Sequence, residues 1–310
     1  MPLDPLFQMM ADNATATGQP TSLAETTVED ARNAYLLMVA AGGEPPALAS
    51  IDDRRIPGPD GDMAIRVYRP NGGEAPRPVV VYYHGGGFTI GSIETHDPVC
   101  RTLAAQAEAL VVSVEYRLAP EHPFPAATDD AFAALQWVGE HAAEIGGDPS
   151  RIAVAGDSAG GNLAAVSAIA ARDAGGPAVC FQALVYPTTD AKMRFPSIDE
   201  NGEMPILPRR SMEWFYEQYK SDVDDWRATP IDVDDLSGLP PAVVITAEYD
   251  PLRDEGEAYG EKLRAAGVPV TGKRYDGMAH AFVQMLGVLE PARDAMALIA
   301  SELKRAFGTA

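Results

Sequence analysis

The chain has 310 residues, 46% hydrophobic and 22% charged, a balance that fits a folded globular protein and argues against wholesale disorder. That length suits about two domains of roughly 150 residues, or one α/β domain with an appendage. Lysine and arginine number 24 against 45 aspartates and glutamates, a net charge of −21, so the surface repels phosphate backbones and anionic lipid, which excludes nucleic acid and membrane as expected partners.

Residues 1–45 contain one or two helices, including 28–41, before Gly42-Gly43 and Pro45-Pro46. Met63, Ile65 and Val67 alternate with polar residues, the pattern of a half-exposed strand, antiparallel and near a sheet edge. Residues 79–83, 110–114, 152–155, 183–185 and 242–246 are short, continuous apolar runs rich in β-branched side chains, the signature of parallel strands covered on both faces. Helical stretches separate them. One has Thr128 as its expected N-cap and Asp129 and Asp130 in its first turn; others cover 159–172, 254–266 and 291–306. The alternation implies an α/β fold: right-handed crossovers on an open, mostly parallel central sheet with helices on both faces.

Residues 188–230 are too long for an ordinary loop. They carry Phe195, Trp214, Phe215, Tyr216, Tyr219 and Trp226, which need to bury surface. The expected organisation is a helical cap made of 1–45 and 188–230 over a core made of 46–187 and 231–310. Two cysteines, Cys100 and Cys180, make neither a disulfide framework nor a zinc ribbon and are expected as two buried thiols in a reducing compartment. The start of the chain shows no secretion signal and no apolar run suits a membrane span, so the expected location is cytoplasmic.

The strongest chemical signal is Gly156-Asp157-Ser158-Ala159-Gly160, a G-x-S-x-G turn directly after a strand and directly before a helix. Its glycines permit a sharp turn that lifts the serine hydroxyl above the sheet, and the helix N-terminus favours a developing oxyanion. The second signal is His84-Gly85-Gly86-Gly87-Phe88, where consecutive glycines can aim several N–H groups at one point. A dinucleotide fingerprint fails because the third glycine would have to occupy position 90, which is Ile90. The G-x-x-x-x-G-K spacing of Gly267, Gly272 and Lys273 fails as a P-loop, because Arg274 stands where Ser or Thr is required.

These motifs, with YRLAPEHPFPAA at 116–127, DPLRDEG at 250–256 and His280-Ala281-Phe282, resemble in kind and order the bacterial hormone-sensitive-lipase family of α/β-hydrolase esterases, the GDSAG-type branch. The resemblance runs from about residue 60 to the C-terminus. It departs at Ala281, where the family usually has glycine, a change expected to shift the imidazole slightly at most. It implies a serine carboxylesterase for small esters. The order nucleophile, acid, base and the matched motifs assign Ser158, Asp250 and His280. His280 is the one histidine after Ser158. Glu248 and Asp254 compete with Asp250, which is preferred because it sits just past a strand end and heads its motif. By resemblance the oxyanion donors are the N–H groups of Gly86, Gly87 and Ala159, with Gly85 a weaker candidate.

Asp157 is expected to position the turn or a neighbouring loop, and His84 to anchor the glycine loop. His122 and Asn162 are expected to brace loops around the site, and His96 and His141 to face solvent. No cofactor is implied, and no metal, since no His/Asp/Glu group has ligand spacing. The resemblance also implies self-association, with a homodimer through the sheet edge or the last helix as the expected form beside the monomer. A lactonase or amidase is the alternative within hydrolases. A non-catalytic receptor on this scaffold is the alternative outside them, and retention of His280 argues against it. Short acyl chains are the expected substrates, because a helical cap over Ser158 would close the pocket.

Overall fold

The continuous apolar runs form the middle of a single eight-stranded sheet in a computed structural model that describes residues 1–18, 21–73 and 76–309. Its strands are β1 (Ser50–Gly58), β2 (Gly61–Arg69), β3 (Arg77–Tyr83), β4 (Leu110–Glu115), β5 (Gly147–Asp157), β6 (Val179–Val185), β7 (Ala242–Tyr249) and β8 (Val270–Ala279). The spatial order is β1-β2-β4-β3-β5-β6-β7-β8. β2 runs antiparallel to both β1 and β4, and the remaining pairs are parallel. The helices are α1 (Pro5–Thr17), α2 (Val28–Leu37), α3 (Asp97–Ala107), α4 (Ala126–His141), α5 (Ala159–Ala174), the single turn α6 (Ser197–Glu200), α7 (Arg209–Tyr219), α8 (Arg253–Ala265) and α9 (Glu290–Phe307).

Because successive side chains leave a strand on opposite faces, β3 feeds two cores. Val79, Val81 and Tyr83 join one with side chains of α4, α5 and α8, while Val80 and Tyr82 join the other with side chains of α3 and α9. A third cluster joins Ala31 and Tyr35 of α2 to Leu207, Met212, Trp214 and Phe215 of the 188–230 stretch. Ser211 Oγ, in the same region, accepts from Leu23 N at 3.0 Å.

Several expectations change. The strand around Met63–Val67 is antiparallel and next to the sheet edge, as expected, but the edge itself is a further strand, β1, outside it. The sequence of β1 hides it, since Asp52-Asp53-Arg54-Arg55 leaves Ile56 as its one buried side chain. Charge on an edge strand discourages further pairing. α3 was not expected at all, although Asp97-Pro98 is a fair start signal. The helix expected over 28–41 ends at Leu37 and tightens into a 3-10 turn, Met38–Gly42, before Gly43 takes a left-handed φ of 69°. Thr128 is not an N-cap: α4 begins two residues earlier, and the threonine hydroxyl donates back to the Pro125 carbonyl at 2.7 Å. Cys100 is buried, but Cys180 is only partly so. Among the described residues, no helix is long and apolar enough to cross a membrane.

Candidate active site

β5 ends in the serine turn. Ser158 has φ 56° and ψ −119°, a conformation rare for a side-chain-bearing residue and costing about 1–3 kcal/mol. Its N–H donates to Val185 O at 2.9 Å. The flanking glycines are needed for closeness rather than for their own φ. A methyl on Gly156 would stand 2.2 Å from Gly160 O, and one on Gly160 would stand 1.9 Å from Tyr83 O.

The loop after β8 brings His280 to this turn. Its Nε2 lies 2.9 Å from Ser158 Oγ, and its Nδ1 lies 2.7 Å from Asp250 Oδ2. A carboxylate behind Nδ1 keeps the proton there and leaves Nε2 free to accept from the serine hydroxyl. Asp250, fully buried after β7, is fixed by Leu252 N donating to Oδ1 at 2.9 Å and by Asn201 Nδ2 donating to its carbonyl at 3.1 Å. The competing acids are engaged elsewhere. Glu248 accepts from Gly277 N at 2.7 Å, and Asp254 accepts from Ser197 N at 2.9 Å.

The loop after β3 aims its N–H groups by pinning carbonyls. In a trans peptide the N–H points opposite to the C=O of the same unit. His84 Nδ1 lies 2.9 Å from Gly85 O, so the Gly86 N–H points away from His84. Gly86 O accepts from Thr89 N and Ile90 N, so the Gly87 N–H turns the other way as well. Among the described residues none accepts a hydrogen bond from the N–H of Gly86, Gly87 or Ala159, and all three residues line the same cavity as Ser158 and His280. Gly85 is different, because its N–H is taken by Asp157 Oδ1 at 3.0 Å. His84 is buried against Tyr116, with ring centroids 4.2 Å apart. Desolvation, then the nearby His96, pushes its pKa down to about 3, so it is a neutral donor.

Asp157 collects hydrogen bonds from Tyr82 Oη at 2.8 Å and Gln284 Nε2 at 3.2 Å besides Gly85 N. His96 Nε2 stands 3.2 Å from its Oδ1. Burial alone would raise this carboxyl, but attraction to His96 and the surrounding donors override it and hold the pKa at about 2. His96 is therefore not solvent-facing: it is fully buried, because a buried carboxylate needs donors around it. His141 is half-buried and stacked on Trp137 at 4.9 Å. Asn162 braces nothing by its amide, since neither side-chain atom has a partner among the described residues, and His122 is exposed beside a shallower cleft. Sequence reasoning missed His96, Gln284, Tyr35 and Asn201. Only His96 carried a signal, as the residue just before the Asp97-Pro98 helix start.

Over Ser158 lies a cavity of about 630 Å³. Its walls come from the sheet side at Gly86, Gly87 and His280, and from Met10, Leu23 and Tyr35 at the N-terminal end. Ile206, Met212 and Phe215 close it from the 188–230 stretch.

Residues 80–284 match the family described as alpha/beta hydrolase fold. The chain belongs to that family. Within it, the motifs and relatives place it in the bacterial hormone-sensitive-lipase group of α/β hydrolases. It is 49% identical over 313 aligned positions to carboxylesterase NlhH of Mycobacterium tuberculosis, covering 98% of this chain and 96% of that protein. It is 38% identical to an ethyl acetate hydrolase of Pseudomonas putida, covering 78% of each. Among solved structures, a hyperthermophilic esterase from the archaeon Pyrobaculum calidifontis superposes with a TM-score of 0.92 at 46% identity, covering both chains completely.

Proposed function

We propose that this carboxylic ester hydrolase cleaves small esters of short acyl chains through an acyl-enzyme on Ser158. His280 takes the Ser158 proton as Oγ attacks the acyl carbonyl, and Asp250 holds the imidazole and stabilises its cationic form. The N–H groups of Gly86, Gly87 and Ala159 receive the developing oxyanion. Protonated His280 then gives its proton to the leaving alcohol, and water activated by the same imidazole releases the acid. The observation that carries this reading is the 2.9 Å contact from His280 Nε2 to Ser158 Oγ, with Asp250 2.7 Å behind the ring.

Residues 1–45 and 188–230 act as the two parts of a cap over the core pieces 46–187 and 231–310. Their apolar side chains roof the cavity, which lies in the usual size range for small-molecule sites. Such a roof suits short acyl chains and excludes long lipid tails. The test is a p-nitrophenyl ester series from acetate to palmitate, with rapid mixing to catch the first turnover. A burst of p-nitrophenol on a short ester and a falling kcat/KM with chain length are expected; a preference for palmitate would overturn the short-chain reading.

A further inference from the structure

Three loops meet at the Asp157 carboxylate, and none of the groups that tie them there has a part in the proton transfers above. The oxyanion loop reaches it through Gly85 N, and the serine turn supplies the carboxylate itself. The histidine loop reaches it through Gln284, four residues after His280. His96 completes the set from the turn before α3. Its Nε2 lies 3.2 Å from Asp157 Oδ1 and 3.1 Å from Gln284 Nε2, and its Nδ1 lies 2.8 Å from Thr95 Oγ1. Gln284 Nε2 also lies 2.5 Å from Tyr35 Oη, which brings α2 to the same point. His96 is fully buried and Asp157 nearly so. In such surroundings a hydrogen bond is strong and an unpaired charge is costly.

We propose that His96 is a positioning residue for ester hydrolysis: with Gln284 it holds the Asp157 carboxylate against the Gly85 N–H, and so keeps the oxyanion loop, Ser158 and His280 in one register. The proposal rests on the Ser158 and oxyanion reading above. The physical chain is short. Asp157 is the residue immediately before Ser158, and Gly85 immediately precedes the donor residues Gly86 and Gly87. Tyr82 supports the carboxylate from the strand, but among the described residues only His96 and Gln284 reach it from outside β3, the glycine loop and the serine turn. Removing His96 would leave a buried carboxylate short of a donor. The carboxylate would then turn or take up a proton, and the Gly85 peptide would lose its fixed acceptor. A shift of a few tenths of an ångström to 1 Å at the oxyanion donors weakens transition-state binding without touching the pocket that binds the ground state.

The experiment compares the full chain with His96→Ala, His96→Gln and Gln284→Met. A p-nitrophenyl alkylphosphonate counts competent serines by stoichiometric p-nitrophenol release, and kcat and KM for p-nitrophenyl butyrate are expressed per titrated serine. His96→Ala should lower kcat about 10- to 100-fold with KM within about two-fold. His96→Gln, which can return a donor near the Nε2 position, should recover most of the loss. Should His96→Ala fail to fold, Gln284→Met carries the expectation of reduced kcat per titrated serine, while its KM is free to move because Gln284 itself lines the cavity. A kcat per titrated serine within two-fold of the parent in the variant that folds would overturn the proposal, as would equal losses in His96→Ala and His96→Gln. Absence of phosphonate labelling at Ser158 in the parent would instead overturn the Ser158 reading itself, so the two failures are distinct.

Discussion

The Tyr83 carbonyl oxygen, at the end of β3, sits so close over Gly160 that a methyl group on that glycine would stand 1.9 Å from it. Both partners are backbone, so neither can rotate away. The contact locks the first turn of α5 against the strand that carries His84 and the glycine loop, and thereby fixes Ser158 relative to the N–H groups of Gly86 and Gly87.

Gly160→Ala should therefore damage fold and activity together. Overpacking of this kind costs about 1–3 kcal/mol or more, which for a chain of this size is a fall in Tm of several degrees. Calorimetry and ester turnover on the purified variant check it. An unchanged melting point with full activity would mean that the α5 terminus can slide, contrary to the close contact.

The proton-transfer assignment makes a sharper demand. Ser158→Ala and His280→Ala should each lower kcat by several orders of magnitude, because residues acting as a unit lose nearly everything on removal of one. Asp250→Asn should be severely damaging too, since it disturbs the His280 tautomer. Glu248→Ala and Asp254→Ala should stay within a few-fold of the parent, their carboxylates being engaged by Gly277 N and Ser197 N. Inactivation by either of the last two with Asp250→Asn left active would transfer the acid role. Circular dichroism on each variant separates lost chemistry from lost fold.

What the sequence made legible was whatever leaves a local mark. Parallel strands appear as unbroken apolar runs, and the glycine loop and serine turn carry their own residue patterns. β1 left no such mark, because an edge strand stabilised through its backbone ladder can be charged along most of its length. His96 was misjudged for a related reason: a polar residue between Thr95 and Asp97 reads as surface until the carboxylate of Asp157, sixty-one residues away, is known to face it. Gln284 meets Asp157, His96 and Tyr35, and Asn201 meets the Glu248 and Asp250 carbonyls, all across the fold, which no local pattern encodes. The glycines of the serine turn serve a different need from the one their motif suggests. Ser158 bears the positive φ, and the glycines beside it are required by the closeness of the backbone around them.

Ala281 carries the chain past His280 with φ 63° and ψ 10°, a left-handed geometry that costs an alanine about 1–2 kcal/mol. Replacement by glycine relieves that strain, but loses about 0.8 kcal/mol of buried methyl and about 0.4–1 kcal/mol of chain entropy. The terms nearly cancel, so Ala281→Gly should leave Tm within a few degrees and kcat largely intact. Ala281→Val should lower both, because a β-branched side chain fits this conformation poorly and the site is buried. Equal melting points for the valine variant and the parent would contradict the assigned backbone geometry.

The last expectation concerns a carboxyl outside the proton-transfer set. Glu255 on α8 is fully buried, and its Oε1 accepts from Thr189 N at 2.7 Å and Asp190 N at 3.2 Å. Its Oε2 has no partner among the described residues. Burial raises its pKa to about 8, against the donation from Thr189 N and with help from the nearby Asp190 charge. Between the ordinary glutamate value near 4.5 and about 8, the folded chain holds a proton that the unfolded chain has lost. Linkage then makes stability fall as pH rises through that window and level off above it, by an amount on the order of a few kcal/mol. Glu255→Gln imitates the neutral form at every pH. The Tm difference between variant and parent should thus widen in favour of the variant from pH 5 to pH 8 and stay constant from pH 8 to pH 9. Parallel Tm curves across that range would show that Glu255 does not carry a proton in the folded chain. Because Thr188, next to this anchor, lines the cavity and lies 2.9 Å from Tyr216 Oη, KM for a short ester measured at pH 8 also reports whether ionisation of Glu255 disturbs the pocket wall. The parent should show a higher KM than Glu255→Gln at pH 8, and the two should agree at pH 6.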